Sequence, residues 1–187
     1  MDANRMRAIA AVAVVWAVFG GISWSYDFSA DMVAKDKGQT MKGKAFVSGD
    51  KSRMEMQEGV IITRLDKKVT WMLMAEQKMY VEGQIKPGAV PVERDSTRVE
   101  KVLVGKEAVD GKPATKYKMT FSEGRGKTTV YQWFLDGNGF PVKTAALDNS
   151  WSYEYKNIKE GTQPASLFEV PAGYKKMDMP AMPDMPM

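Results

Sequence analysis

At 187 residues, 44% apolar and 27% charged, the chain has the size and composition of one folded domain, which excludes fibrous, collagen-like and wholly disordered classes. It contains no cysteine and no histidine, so disulfides, thiolate nucleophiles, imidazole bases and the two commonest transition-metal ligands are missing together. A net charge of +4, with basic and acidic residues interleaved as in Lys35-Asp36-Lys37, leaves no basic stripe for nucleic acid. The chain is therefore expected to have no nucleic-acid partner and no cofactor, and not to be an enzyme.

The first 25 residues read as a secretory signal peptide. Arg5 and Arg7 precede an apolar run from Ala8 to Ile22, and Ser23-Trp24-Ser25 places small residues at the minus-three and minus-one positions of a cut before Tyr26. Fifteen apolar residues span only ~22 Å as a helix, against a hydrocarbon core of ~30 Å, so no stable membrane span is expected after cleavage. Without a cysteine after the cut there is no acceptor for lipoprotein acylation. The expected location is the periplasm.

From Tyr26 to Tyr174 short β-rich runs alternate with turn residues, the pattern of an antiparallel sheet. The expected strands are Tyr26–Lys35, Thr40–Ser48, Ser52–Gln57, Val60–Leu65, Lys68–Ala75, Lys78–Glu82, Val102–Val109, Pro113–Ser122, Thr128–Leu135, Pro141–Leu147 and Ser150–Ile158. Between them stand hairpin signals such as Gly49-Asp50, Asp110-Gly111 and Asp136-Gly137-Asn138-Gly139. Tyr117, Met119 and Phe121 alternate with Lys116, Lys118 and Thr120, so one face of that strand is apolar and the other wet. Trp71 to Met74 and Val130 to Leu135 are apolar on nearly both faces and are expected to be central or covered. The helix candidates are Val92–Lys101 and Gln163–Phe168, too short to cover so many strands. The expected fold is therefore mainly β, a curved antiparallel sheet forming an incomplete barrel with one or two short helices. The tail from Lys175 to Met187, dominated by proline and methionine, is expected to lack regular structure.

Phe28-Ser-Ala-Asp-Met, Gly43-Lys-Ala-Phe-Val, Lys51-Ser-Arg-Met-Glu, Val60-Ile-Ile-Thr-Arg and Val69-Thr-Trp-Met-Leu with Gln77-Lys-Met-Tyr resemble the opening meander of LolA/LolB-like lipoprotein-carrier domains. Gly105-Lys-Glu-Ala-Val-Asp-Gly111, Tyr131-Gln-Trp-Phe-Leu, Gly139-Phe-Pro-Val-Lys143, Tyr155-Lys-Asn-Ile-Lys-Glu-Gly161 and Leu167-Phe-Glu-Val-Pro-Ala-Gly-Tyr174 are similar to a family of uncharacterised exported bacterial domains placed beside those carriers. The resemblance implies a LolA-like half-barrel over 26–174 whose hollow, in the carriers, receives acyl chains. It departs from them at the start, where Tyr26-Asp-Phe-Ser-Ala-Asp-Met is strand-like and the carriers begin with a helix.

Fifteen methionines are the oddest feature of the composition. Met54 and Met56 lie two apart on one strand and Met72 and Met74 on another, so each pair shares a face. Flexible, polarisable thioethers accommodate varied apolar partners. Met54, Met56, Met72, Met74, Tyr131 and Trp133 are accordingly the candidate binding residues, set against the plainer reading that they fill the core. The expected partner is an acyl chain or another apolar ligand, in envelope lipid or lipoprotein traffic, with an envelope protein as a second kind of partner. The alternative is Cu(I) binding by the tail thioethers of Met177, Met179, Met182, Met185 and Met187. Other constellations read as structure: Ser48-Gly-Asp-Lys51 carries hairpin chemistry where a Ser-x-x-Lys nucleophile needs a helix turn, and the Asp136 loop lacks the glutamate of a calcium site.

Overall fold

The computed structural model describes residues 24–57, 59–85, 98–123, 126–137 and 139–177. In chain order its elements are β1 (Trp24–Asp36), β2 (Gln39–Gly49), β3 (Lys51–Met56), β4 (Gly59–Arg64), β5 (Val69–Met74), β6 (Met79–Gln84), β7 (Arg98–Val109), β8 (Lys112–Glu123), β9 (Gly126–Leu135), β10 (Pro141–Ala146), β11 (Trp151–Glu160), a 3₁₀ turn at Ala165–Phe168 and β12 (Lys175–Lys176). The strands hydrogen-bond in the order β12-β6-β5-β4-β3-β2-β1-β11-β10-β9-β8-β7, one open sheet that does not close into a barrel. All eleven expected strands are present, with boundaries shifted by a few residues. Local turn chemistry explains this: Asp110 and Gly111 both adopt positive φ, 51° and 73°, the geometry that lets a two-residue loop join β7 to β8 without splaying them.

Three expectations are corrected or bounded. Arg98–Lys101 is strand where Val92–Lys101 was expected to be helical, and residues 92–97 lie outside the described residues. Pairing decides it, since Val99 and Lys101 lie opposite Phe121 and Met119 of β8. Of Gln163–Phe168, Ala165–Phe168 forms the 3₁₀ turn, entered from Pro164. The tail begins with structure: Lys175 and Lys176 pair in parallel with Met79 and Tyr80, and the Met177 N–H donates to the Tyr80 carbonyl. Residues 178–187 and the expected signal segment up to residue 23 lie outside the described residues. Among the described residues no helix is long and apolar enough to cross a membrane.

The chain divides into two compact units. Of the described residues, one contains 30–43 and those from 98 to 159; the other contains 24–29, those from 44 to 85, and 160–177. In the first, Tyr153 and Tyr155 are buried and pack edge to face at 5.0 Å, with Phe140 at 5.7 Å from Tyr155. Burial holds both phenols above their ordinary pKa, Tyr155 at about 12. Met119, Val130, Val142 and the fully enclosed Thr144 continue this core, where Gln132 donates to the Thr144 hydroxyl at 3.4 Å.

In the second unit, one face of the β3–β6 meander is closed by the segment that follows β11. Ile62, Val69, Trp71, Leu73 and Phe168 form its core, with Leu167, Val170 and Tyr174 packed against them. Arg64 pins this cover: its side chain is 6% exposed, and its guanidinium donates to the Phe168 carbonyl at 3.1 Å and pairs with Asp66 and Glu169. Arg53 donates to the Leu167 carbonyl at 3.0 Å. The hydrogen-bonded ion pair with Arg64 holds Asp66 at about 2, and Arg64 is itself pushed up. At Glu169 burial works to raise the pKa, but Lys67 and Arg64 outweigh it and the carboxyl stays low.

Candidate functional site

Side chains directly opposite one another across a sheet share a face, so the strand register settles where the methionines stand. Met54, Ile61, Met72 and Val81 form one row across β3, β4, β5 and β6. Met56 lies opposite Gly59, and Met74 opposite Met79, two residues further along the same face. In the other direction the face continues as Ser52, Thr63, Thr70 and Gly83. It therefore runs from hydroxyls at one end to thioethers at the other, and none of these residues is charged.

The opposite face carries Arg53, Glu55, Arg64 and Glu82 beside Ile62, Trp71 and Leu73, and it is the one the 3₁₀ segment covers. There the Trp71 indole N–H donates to Glu82 at 3.0 Å, and Lys176 of β12 reaches the same carboxylate at 2.9 Å. These two donors, the indole first, keep Glu82 below the usual carboxylate range. The strand expected to be covered, Trp71 to Met74, is covered more fully on one side than on the other: Trp71 and Leu73 are buried, whereas Met72 and Met74 are half-buried. Met56, Ile61, Met79 and Val81 are half-buried as well, and Met54, at 1% exposure, is the enclosed member of the set. Four of the six candidate residues are therefore brought together, and three of those four keep part of their surface in water.

Tyr131 and Trp133 belong to the other unit. Both stand on the face of β9 that carries Lys116 and Lys143, and their rings lie edge to face with centroids 6.2 Å apart. The Lys116 ammonium sits 4.4 Å from the Tyr131 centroid and 4.6 Å from that of Trp133, and Lys143 sits 4.7 Å from Trp133. Trp133 is 3% exposed. This face is not simply wet, as the alternation of β8 alone suggested, because long lysine stems lie down over the aromatic rings.

The remaining motifs resolve as turns. Ser48 and Gly49 both donate to the Asp27 carboxylate, at 2.9 and 3.1 Å, and Lys51 starts β3. Asp136 accepts from the Thr115 hydroxyl at 2.6 Å and from Lys106 at 3.1 Å. The sequence reading missed Arg64, although Val60, Ile62 and Arg64 alternate in phase, which places the arginine on the Trp71 face.

A profile of a family described as a domain of unknown function, DUF4412, matches residues 122–174, well under half of the chain. No curated protein matches. Among solved structures, the crystal structure of MucB is similar with a TM-score of 0.54 and 15% identity, over 88% of this chain and 64% of that one. The complex of Pseudomonas aeruginosa MucA and MucB is similar with a TM-score of 0.53 and 14% identity, over 86% and 62%. The chain spans less than two thirds of these proteins' length. At such identity the likeness is one of fold.

Proposed function

We propose that this protein is an exported, non-enzymatic binding protein that holds an acyl chain or another apolar ligand against the methionine face of β3–β6, and that it works in the periplasm in envelope lipid or lipoprotein traffic. One observation carries the reading. Met54, Met56, Met72 and Met74 share an uncharged face with Ile61, Met79 and Val81, while the core of the same strands is completed on the opposite face. A face that is enclosed at Met54 but leaves Met56, Met72 and Met74 partly open, lined by thioethers that repack around varied shapes, suits a ligand recognised by burial rather than by hydrogen bonds. At ~25 cal/mol per Å² an acyl chain burying ~300 Å² of apolar surface would gain ~7 kcal/mol before the cost of immobilising it. The fold shared with MucB, which is solved in complex with MucA, supports an envelope protein as a further partner.

The test is native mass spectrometry of the mature protein purified from the periplasm of its own host, followed by solvent extraction and by titration with a fluorescent fatty acid. A co-purifying acyl species, or saturable uptake of the probe, is expected. An apo mass that persists through incubation with the fatty acid overturns the proposal.

A further inference from the structure

Register places Gly105, Lys116, Trp133, Lys143 and Glu154 in one row across β7 to β11, each residue directly opposite the next. Trp133 stands at its centre with a lysine ammonium over its ring from each side neighbour in the row. Its indole N–H is, among the described residues, the one buried side-chain donor without a hydrogen-bond partner. The Glu107 carboxylate is held below the usual range by the indole N–H first and then, against its own burial, by Lys116 and Lys143. The indole N–H nevertheless does not meet hydrogen-bond geometry with it. Glu107 is 49% exposed on its side chain and pairs with Lys116 at 3.4 Å. Lys143, half-buried, makes no direct ion pair among the described residues and attracts Glu107 at longer range, while Glu154 opposite it pairs with Lys156 at 3.3 Å. A buried N–H that makes no well-formed hydrogen bond and two ammoniums thus share one carboxylate, whose own side chain is half exposed.

We propose that Lys116, Lys143 and the Trp133 indole N–H form a receptor for an oxyanion of the carboxylate or phosphate class, free or as the head group of an amphiphile. The anion satisfies the orphaned N–H and sits against the two ammoniums, with the indole and the Tyr131 ring as a dry wall that strengthens both attractions. Glu107 is then the competing internal anion, and its exposed arm swings out to water when the ligand enters. This inference stands apart from the methionine face and does not depend on it.

The indole N–H of Trp133 is itself the reporter. In ¹⁵N-labelled mature protein its resonance is assigned by loss in Trp133→Phe and followed during titration with inorganic phosphate, with acetate and with decyl phosphate. A saturable downfield shift is expected, weakened at least tenfold by Lys143→Gln and by Lys116→Gln and tightened several-fold by Glu107→Gln. The Trp71 resonance, whose N–H already has Glu82, should stay put. A response to phosphate or acetate identifies a free oxyanion as sufficient; a response to decyl phosphate alone assigns the site to a head group. No saturable shift with any probe, or a shift indifferent to both lysine changes, overturns the proposal. Far-ultraviolet circular dichroism of each variant shows that the sheet is retained.

Discussion

The double change Met72→Ser/Met74→Ser separates a binding face from a core. Both side chains are half-buried and point away from the cluster of Ile62, Trp71, Leu73 and Phe168, so folding draws on only part of their apolar surface. Removing them should cost about 1 kcal/mol each in stability. A ligand lying across the face would cover the remainder. If ~50 Å² of each thioether is buried on binding, the double variant loses ~2.5 kcal/mol of affinity, a weakening of about 70-fold in Kd. Met54→Ser is the contrast, because at 1% exposure its side chain is already enclosed. It should lower stability by ~2–4 kcal/mol, as large-to-small changes in a closed core do. Fluorescent fatty-acid titration and urea denaturation on all three proteins measure both quantities. The reasoning fails if Met72→Ser/Met74→Ser destabilises as much as Met54→Ser, or if it leaves the fatty-acid affinity unchanged.

Other changes probe how the covered face is held. Phe168→Ala empties a 1% exposed site in the second unit's core and should cost ~3–5 kcal/mol in urea denaturation; a loss below ~1 kcal/mol would mean that the 3₁₀ segment does not close that core. Asp66 titrates at about 2 in the folded protein, below the ~3.9 of an unfolded chain, so its pairing with Arg64 contributes fully above about pH 4 and is lost as pH falls toward 2. Wild type should therefore lose more stability than Asp66→Asn across that window, and equal losses would remove Asp66 as the acid-sensitive group. Gly59 has φ of +153°, and a Cβ there would stand 2.9 Å from the Leu73 carbonyl oxygen. Gly59→Ala should cost ~1–3 kcal/mol, measured as a lower melting temperature, whereas an unchanged melting temperature would show that the β4–β5 pairing gives way without strain.

The strand and hairpin pattern was open to reading because its causes are local. Asp110-Gly111 makes its turn from its own backbone preferences, and a two-residue side-chain period places Met54 with Met56, and Met72 with Met74, on one face whatever else the chain does. Which face is covered could not be read that way. It depends on Phe168 reaching Trp71 and on Arg64 donating to a carbonyl 104 residues further along the chain. The same holds for Arg98–Lys101, where pairing with Phe121 and Met119 overrides a weak helical preference, and for Lys175–Lys176, where an exposed edge of β6 organises residues whose composition favours no structure. Trp133 reads in the sequence as an apolar residue available to a ligand. Only the cross-strand register shows it beneath Lys116 and Lys143, because the neighbours that close over a side chain in a sheet come from other strands. Periodicity assigns a residue to a face, and long-range pairing decides what that face meets.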